Sequence, residues 1–447
     1  MGHAKMREGA MGLTDDELRA RMVAEAEAAI NRLLAKRKPA ETITLREIEQ
    51  LVLAAREEVG EQWAQELVRD SAGRQPVPGP TCRGCGQEMR YKGKKGKRLV
   101  TEVGEVRVER DYFHCPTCKV GLFPLDARWE GNESGYSDSL SQQMVWLSGL
   151  LPYQQAQAVF ARIGHRDIPS TSLWRRTQAH GEAMQRHVEH EREQVAPERV
   201  VLPGPGQDHA QVKGVSVDGG MMHIRDEGWK EFKVGTVFDV VMQPGSDPHT
   251  GEAGDQPCAT HIGYTAVLGE VSAFAPALWK LAVDQDVPIA ARSCVSGDGA
   301  AWIWNLVADY FPDSVQIVDW YHADAHLALA AHALYPDDEA QAMRWRQQMH
   351  TPLFLGEAWK IAQTLQRAGL SEHAPYFATH QRRMQYQDFR EEGFPIGSGT
   401  VESGCKQFKA RLTGPGMQWS RVAAERMLII RAAVMDGSFD RLWAQVA

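Results

Sequence analysis

No apolar run in this chain is long enough to cross a bilayer, and its first ten residues are polar, with no apolar signal core. A soluble intracellular protein is therefore expected. Positive charge is not in excess either: 50 Lys and Arg against 58 Asp and Glu leave a net charge of −8. That excludes a uniformly basic nucleic-acid coat but not local basic patches. Cysteines number only seven, and in a reducing compartment they serve as thiols or metal ligands rather than disulfides. HExxH, GxSxG and a Walker lysine are all missing. The nearest approach to a phosphate loop is GSGTVESGCK at 397–406. Gly399 and Gly404 have the right spacing there, but Cys405 stands where the lysine should follow. No internal repeat is found.

What the chain does have is enough material for about two to four domains. Hydrophobic residues make up 43% and charged residues 24%, a balance that folds. Two amphipathic helices are predicted at 14–37 and 44–72. Thr14 with Glu17, and Thr44 with Glu47, have capping-box spacing. Ile48, Val52, Ala55, Val59, Trp63 and Leu67 mark one apolar face. That face implies a hairpin packed on its own domain, or else an arm for dimerisation or DNA-end binding. Pro- and Gly-rich linkers are read at 72–80 and 202–209.

Between the linkers lie a cysteine module and a helical segment. CRGC (Cys82, Cys85) and CPTC (Cys115, Cys118) can place four thiolates around one tetrahedral zinc, a structural site with no open position. The sequence between the knuckles alternates like strands, so the module reads as a zinc ribbon over 81–125. At its tip we place RYKGKKGKR, with Arg90, Lys92, Lys94, Lys95, Lys97 and Arg98 and no acid. Such a run is either a solvated charge stretch or a grip on DNA phosphates, and its rigid hairpin setting favours the grip. Residues 150–184 resemble a helix-turn-helix. Gly164 ends the first helix, and Ser170 or Thr171 caps the second. Arg175, Arg176, Gln178 and His180 are then available for DNA contact, with plain helix packing as the alternative.

After residue 210 the pattern changes to strands: 212–224, 232–241 and 261–268. There follow a helix at 271–283, a strand at 290–296, a helix near 299–310 and a strand at 315–319. Residues 321–390 are helical, with Trp345 and Trp359 on apolar faces. Closing helices are expected at 400–412 and 420–435. Three strands followed by alternation indicate an α/β domain with a mixed sheet. Asp218, Asp298 and Asp319 each follow or end an apolar strand, where such sheets present site residues. A single acid there is commonly only a cap or turn former. Glu402 opens a helical run in which Lys406, Lys409 and Arg411 lie near the same face. Two Asp and one Glu can hold two Mg²⁺ ions through hard oxygens, with Mn²⁺ as a substitute. Such a pair suits in-line attack on a phosphodiester.

In their order and context these motifs resemble a DDE transposase of bacterial insertion sequences, of the ISKra type related to Mutator-like transposases. VSVDGG carries the first aspartate's role to Asp218. SGDGAAWIWNLVADYFP carries the second to Asp298. VDWYH supplies Asp319 and His322 as accessory residues, and GSGTVE carries the glutamate's role to Glu402, with Trp419 and Arg431 in the tail. The resemblance covers residues 210–435. It implies an RNase H-like catalytic core at 210–320, interrupted by a helical insertion at 321–395 and closed at 396–447. Ahead of it stand the helical region 1–75, the ribbon, and the helical segment 138–200. It also implies Mg²⁺-dependent cutting and joining at transposon ends, in a cytoplasmic, nucleoid-associated bacterial protein. The partners implied are transposon-end and target DNA and further copies of the chain, in a dimer or larger complex, with no membrane. Asp319 remains the alternative to Asp298 as second metal ligand. An RNase H-like nuclease that does not transpose, or a non-catalytic DNA-binding regulator, shares much of the same pattern.

Overall fold

The computed structural model describes residues 13–73, 79–129, 135–197, 211–246 and 253–446. Most of the two linkers read from sequence, and the first ten residues, lie outside these. The chain divides into two compact units, Met1–Met144 and Val145–Val446, with the division inside one helix.

The first unit begins with an antiparallel pair of helices, α1 (Asp15–Lys36) and α2 (Leu45–Gly73). Both capping boxes form. The Thr14 hydroxyl accepts from the Glu17 amide and the Glu17 carboxylate accepts from the Thr14 amide, and Thr44 and Glu47 do the same. The expected apolar face of α2 is present but not covered: Ile48, Val52, Trp63 and Leu67 are all exposed. Its other side, with Ala64 and Val68, packs on Leu99, Val106, Val108 and Leu125 of the adjoining sheet. That sheet is a long hairpin, β1 (Arg90–Thr101) and β2 (Gly104–His114), with the short β3 (Gly121–Leu122) beside β2. A short helix, α3 (Pro124–Arg128), follows, and then α4 (Asp138–Leu150), which contains the division.

The second unit is a mixed α/β body. Its sheet has five strands in the order β6–β5–β4–β7–β8. These are β4 (Val212–Ile224), β5 (Gly228–Ser246), β6 (Ala253–Leu268), β7 (Arg292–Gly297) and β8 (Val315–Val318). β4, β5 and β6 form an antiparallel meander, while β7 and β8 run parallel to β4. Alternation along β4 sends Val215 and Val217 into one core, while Met222 and Ile224 enter another. The first core takes α7 (Val271–Asp284), α8 (Ala301–Tyr310) and the inserted helices α9 (Trp320–Leu334), α10 (Glu339–Phe354), α11 (Ala358–Arg367), α12 (Ala374–His380) and α13 (Tyr386–Glu391). Trp345 is buried there as expected, but Trp359 is half exposed. The second core takes α14 (Gly399–Leu412), α15 (Arg421–Met435) and α16 (Phe439–Val446). This last helix was not read from the sequence. Gly404 lets α14 lie close on the sheet, because a Cβ there would sit 2.9 Å from the Tyr264 ring.

The helix pair α5 (Tyr153–Arg162) and α6 (Ser170–Gln194) corresponds to the helix-turn-helix-like segment. The expected side-chain cap is absent. Pro169 occupies the N-cap, and Ser170 is already the first helical residue. α6 is also a packing helix. Leu173, Thr177, Gly181 and Met184 are buried, Arg426 of α15 bonds the Gln178 carbonyl, and His180 stacks on Trp443 at 4.2 Å. Of the residues expected to reach DNA, Arg175 is exposed and Arg176 is half buried.

Candidate active site

Asp218 does not end its strand. β4 continues six residues past it, paired with β5 down to Ile224. What ends near Asp218 is the parallel pairing with β7, whose last matched pair is Ser216 with Ser296. Those two hydroxyls meet in the interior at 2.5 Å. Two residues farther along each segment come Asp218, still in β4 and on the face of Ser216, and Asp298, just past the end of β7. Both are half buried. One Asp218 carboxylate oxygen accepts from the Gly219 amide at 2.7 Å, and one of Asp298 accepts from the Ala300 amide at 2.8 Å, at the start of α8. Gly299 between them has φ +104°, a left-handed conformation that favours glycine.

Glu402 lies in the first turn of α14, half buried on the face of the sheet that carries Asp218. Lys406 is 3.7 Å from its carboxylate. Lys409, a further turn on, runs over Gly220. Arg411 does not join this face. It is 2% exposed, donates to the Ser148 carbonyl at 2.7 Å, and is sandwiched between Tyr153 and Trp419. The tail residues Trp419 and Arg431 are likewise buried, with Arg431 donating to the carbonyls of Gly149 and Gln407.

Asp319 is fully buried and caps α9. One of its oxygens accepts from the His322 amide at 2.7 Å and faces His322 Nδ1 at 3.1 Å. The other accepts from the Ser398 amide, immediately before α14. Burial works to raise the Asp319 pKa, but the His322 and Ser398 donors outweigh it and hold the carboxyl below its ordinary value. The same bond raises the His322 pKa, burial opposes this, and the charges of Asp319, Asp298 and Asp218 add to the rise. All four of these groups therefore share one electrostatic neighbourhood. Ligand atoms of Asp319, His322 and Glu402 lie within 4.8 Å of one another, close enough to share an ion, while Asp218 and Asp298 stand outside that group.

Sequence reading missed several residues around these acids. Cys405, one turn past Glu402, is buried beside Asp218, and burial with the neighbouring carboxylates pushes its thiol pKa far up. It is therefore an inert wall, not a nucleophile. From the insertion, the Tyr376 hydroxyl donates to the Asp298 carbonyl at 3.1 Å, and its ring stacks on His326 at 3.6 Å. Nothing local distinguishes these residues in a long helical stretch.

The pattern of donors to Asp319 predicts a stability cost. Asp319→Ala would strand the Ser398 amide and the imidazole, losing about 3 kcal/mol. The lost stability is read from denaturant midpoints. The sign with pH follows from the two shifts. The lowered Asp319 pKa adds stability above its ordinary value of 3.8, lost as pH falls through the lowered one. The raised His322 pKa adds stability below its ordinary value of 6.5, lost as pH rises through the raised one. The Asp319→Ala penalty is thus largest between those ordinary values.

In the first unit the four cysteines come together, every sulfur within 4.8 Å of the others. Cys85 and Cys115 are 3.6 Å apart, close to the ~3.8 Å edge of a tetrahedron with metal–sulfur bonds of about 2.3 Å. Both knuckles make the same turn. The Gly86 amide bonds the Cys82 carbonyl and the Lys119 amide bonds the Cys115 carbonyl, with Gly86 and Lys119 both left-handed. Backbone amides of Gly84 and Cys85 lower the Cys82 thiol to about 7. The basic run is not at the hairpin tip, which is formed by Glu102 and Val103. It is the strand β1 itself, an edge strand, because the alternation of RYKGKKGKR pairs directly with β2. Arg98 pairs with Glu105, and Lys95 lies 3.7 Å over the Tyr112 ring. Lysines on an edge also discourage strand-to-strand aggregation.

The chain matches no protein-family model, and comparison with curated proteins finds no match. No helix among the described residues is long and apolar enough to cross a membrane.

Proposed function

We propose that the chain is a DDE-type DNA transposase that cleaves insertion-sequence ends and transfers them to target DNA. One observation carries the reading. Acids from distant segments, Asp218 on β4, Asp298 after β7 and Glu402 on α14, meet around His322: the charges of Asp218 and Asp298 act on its ring, and Glu402 lies within 4.8 Å of it. An antiparallel meander extended by two parallel strands on the β4 side also suits an RNase H-like core. The acids are half-buried hard oxygen donors, and the charges of Asp298 and Asp218 add to the rise that the Asp319 bond gives the His322 pKa, so the setting fits Mg²⁺ or Mn²⁺. Asp218, Asp298 and Glu402 would hold the ions. Bound there, a pair of such ions supplies activation of the attacking water or 3′-hydroxyl and charge stabilisation of the departing oxygen.

The protein's own residues position this chemistry. Asp319 is committed to three donors, so its role is to hold Ser398, and with it the start of α14, against α9. That leaves Asp298 the better second ligand. His322, beside Glu402, faces the scissile phosphate, and the exposed Lys406 and Lys409 hold flanking phosphates. The four cysteines hold one structural zinc. Arg90, Lys92, Lys94, Lys95, Lys97 and Arg98 along β1, with Arg175 and Arg176 on α6, contact the DNA backbone.

Incubating pre-cut transposon ends with a plasmid and Mg²⁺ tests the reading. Covalent joining of the ends to plasmid is expected. Cleavage without joining means a nuclease, and metal-independent binding with neither activity means a regulator. For the ribbon, Lys92→Ala, Lys94→Ala and Lys97→Ala together should weaken binding to any duplex. The slope of log K against log salt should fall by roughly two to three units. An unchanged slope in fluorescence anisotropy titrations would remove β1 from the interface.

A further inference from the structure

The outer face of α1 is apolar and unmatched within its unit. α1 packs on α2, and Ala29 is its one buried residue. On the opposite side Val23, Ile30 and Leu34 are 47%, 54% and 54% exposed. Leu18, Met22, Val23, Ala26 and Ile30, together with the charged Asp15, Arg19 and Glu27, line a groove of about 460 Å³ that Trp63 of α2 also lines. Trp63 is held in place by its indole N–H, which donates to the Met22 carbonyl at 2.9 Å. Val23, Ala26, Ile30 and Leu33 follow the three- and four-residue steps of a coiled-coil seam. An exposed seam of this kind marks an interface.

Charge identifies the occupant. The first turn of α1 carries Asp15, Asp16 and Glu17, and the last turn Lys36, followed by Arg37, while Lys38 beyond them pairs with Glu47. A copy of the same helix laid antiparallel sets each acidic end against a basic end, twice over. A parallel copy sets like against like. DNA along the whole groove would meet the acidic first turn. We infer that the α1 face is a self-complementary dimer interface. Two chains pair antiparallel about the Ala26–Glu27 peptide, with Val23 of each copy against Ile30 of the other and Trp63 flanking the seam. The inference is independent of the DNA-transfer reading. If that reading also holds, the pairing supplies one acid site for each of two DNA ends.

Sedimentation velocity on the full zinc-loaded chain, without DNA, tests the pairing. A dimer at micromolar concentration is expected. Val23→Glu and Ile30→Glu, both at exposed positions, should each raise the dissociation constant more than about tenfold by placing a carboxylate in the seam. Asp15→Lys with Asp16→Lys should weaken the dimer, and adding Lys36→Glu and Arg37→Glu should restore it. A monomeric wild type, or a dimer indifferent to both seam variants, overturns the inference. Failure of the charge reversals to restore pairing overturns the antiparallel arrangement. Loss of strand transfer with the dimer intact would count against the functional reading alone.

Discussion

Asp218→Ala, Asp298→Ala and Glu402→Ala should each lower DNA-end cleavage by more than about a thousandfold, equivalent to ~4 kcal/mol of lost transition-state stabilisation. End binding and folding should survive, because none of the three side chains is built into the interior. Asp218 and Asp298 bond nearby amides, with the Cys405 thiol beside Asp218, and Glu402 makes a loose ion pair with Lys406. The contrast with Asp319 is the informative part. Asp319→Ala should lose stability as well as activity, since it removes the tie between α9 and the start of α14. Asp319→Asn, which preserves the acceptor oxygen on one side, should recover more of the stability than of the activity. Quantitative cleavage of labelled end-containing duplex, alongside anisotropy for binding, gives both numbers for each variant. Full cleavage by the Glu402→Ala protein would remove Glu402 from the site.

The second large effect concerns the cysteines. Purified protein should carry one zinc per chain, and less than about half an equivalent by metal analysis would contradict the site. Chelation should unfold the ribbon, because binding by four thiolates contributes about 10–16 kcal/mol that the small apolar clusters around it cannot replace. Among the described residues, the buried apolar side chains of the ribbon region are Leu99, Val106, Val108 and Leu125, with a separate cluster of Cys82, Met89 and Cys115. Cys82→Ser and Cys115→Ser should have the same consequence without chelator. Limited proteolysis should then cut within 81–123 while the 212–446 body resists. Protection of the ribbon in metal-free protein would show that the hairpin stands by its packing on α2.

The elements were legible in the sequence wherever their signals are local. Thr14 with Glu17 marks the start of α1, and the strand read at VKGVSVDGGMMHI matches β4 over its full length. The two CxxC turns brought the four cysteines to one place, because each turn is closed by its own backbone bonds. Local signals misled where burial depends on what lies opposite. The apolar stripe of α2 has a helical period yet leaves Ile48, Val52 and Leu67 exposed, and Trp359 has an apolar context yet stays half exposed. Arg411 does not share the face of Glu402, because the steps from 402 to 411 turn an α-helix about 180° away, and its side chain is buried between Tyr153 and Trp419.

The site divides along the same line. Sequence by itself determined that Asp298 and Asp319 stand at strand ends, and which thiols share a turn. Only the tertiary structure decided their neighbours. Ser216 meets Ser296 across 80 residues, Asp319 holds Ser398 across 79, and Cys405 lies against Gly219 across 186. Those contacts follow from strand register and from α14 lying close on the sheet. Both are set by the summed packing of two cores, which no window of a few residues encodes.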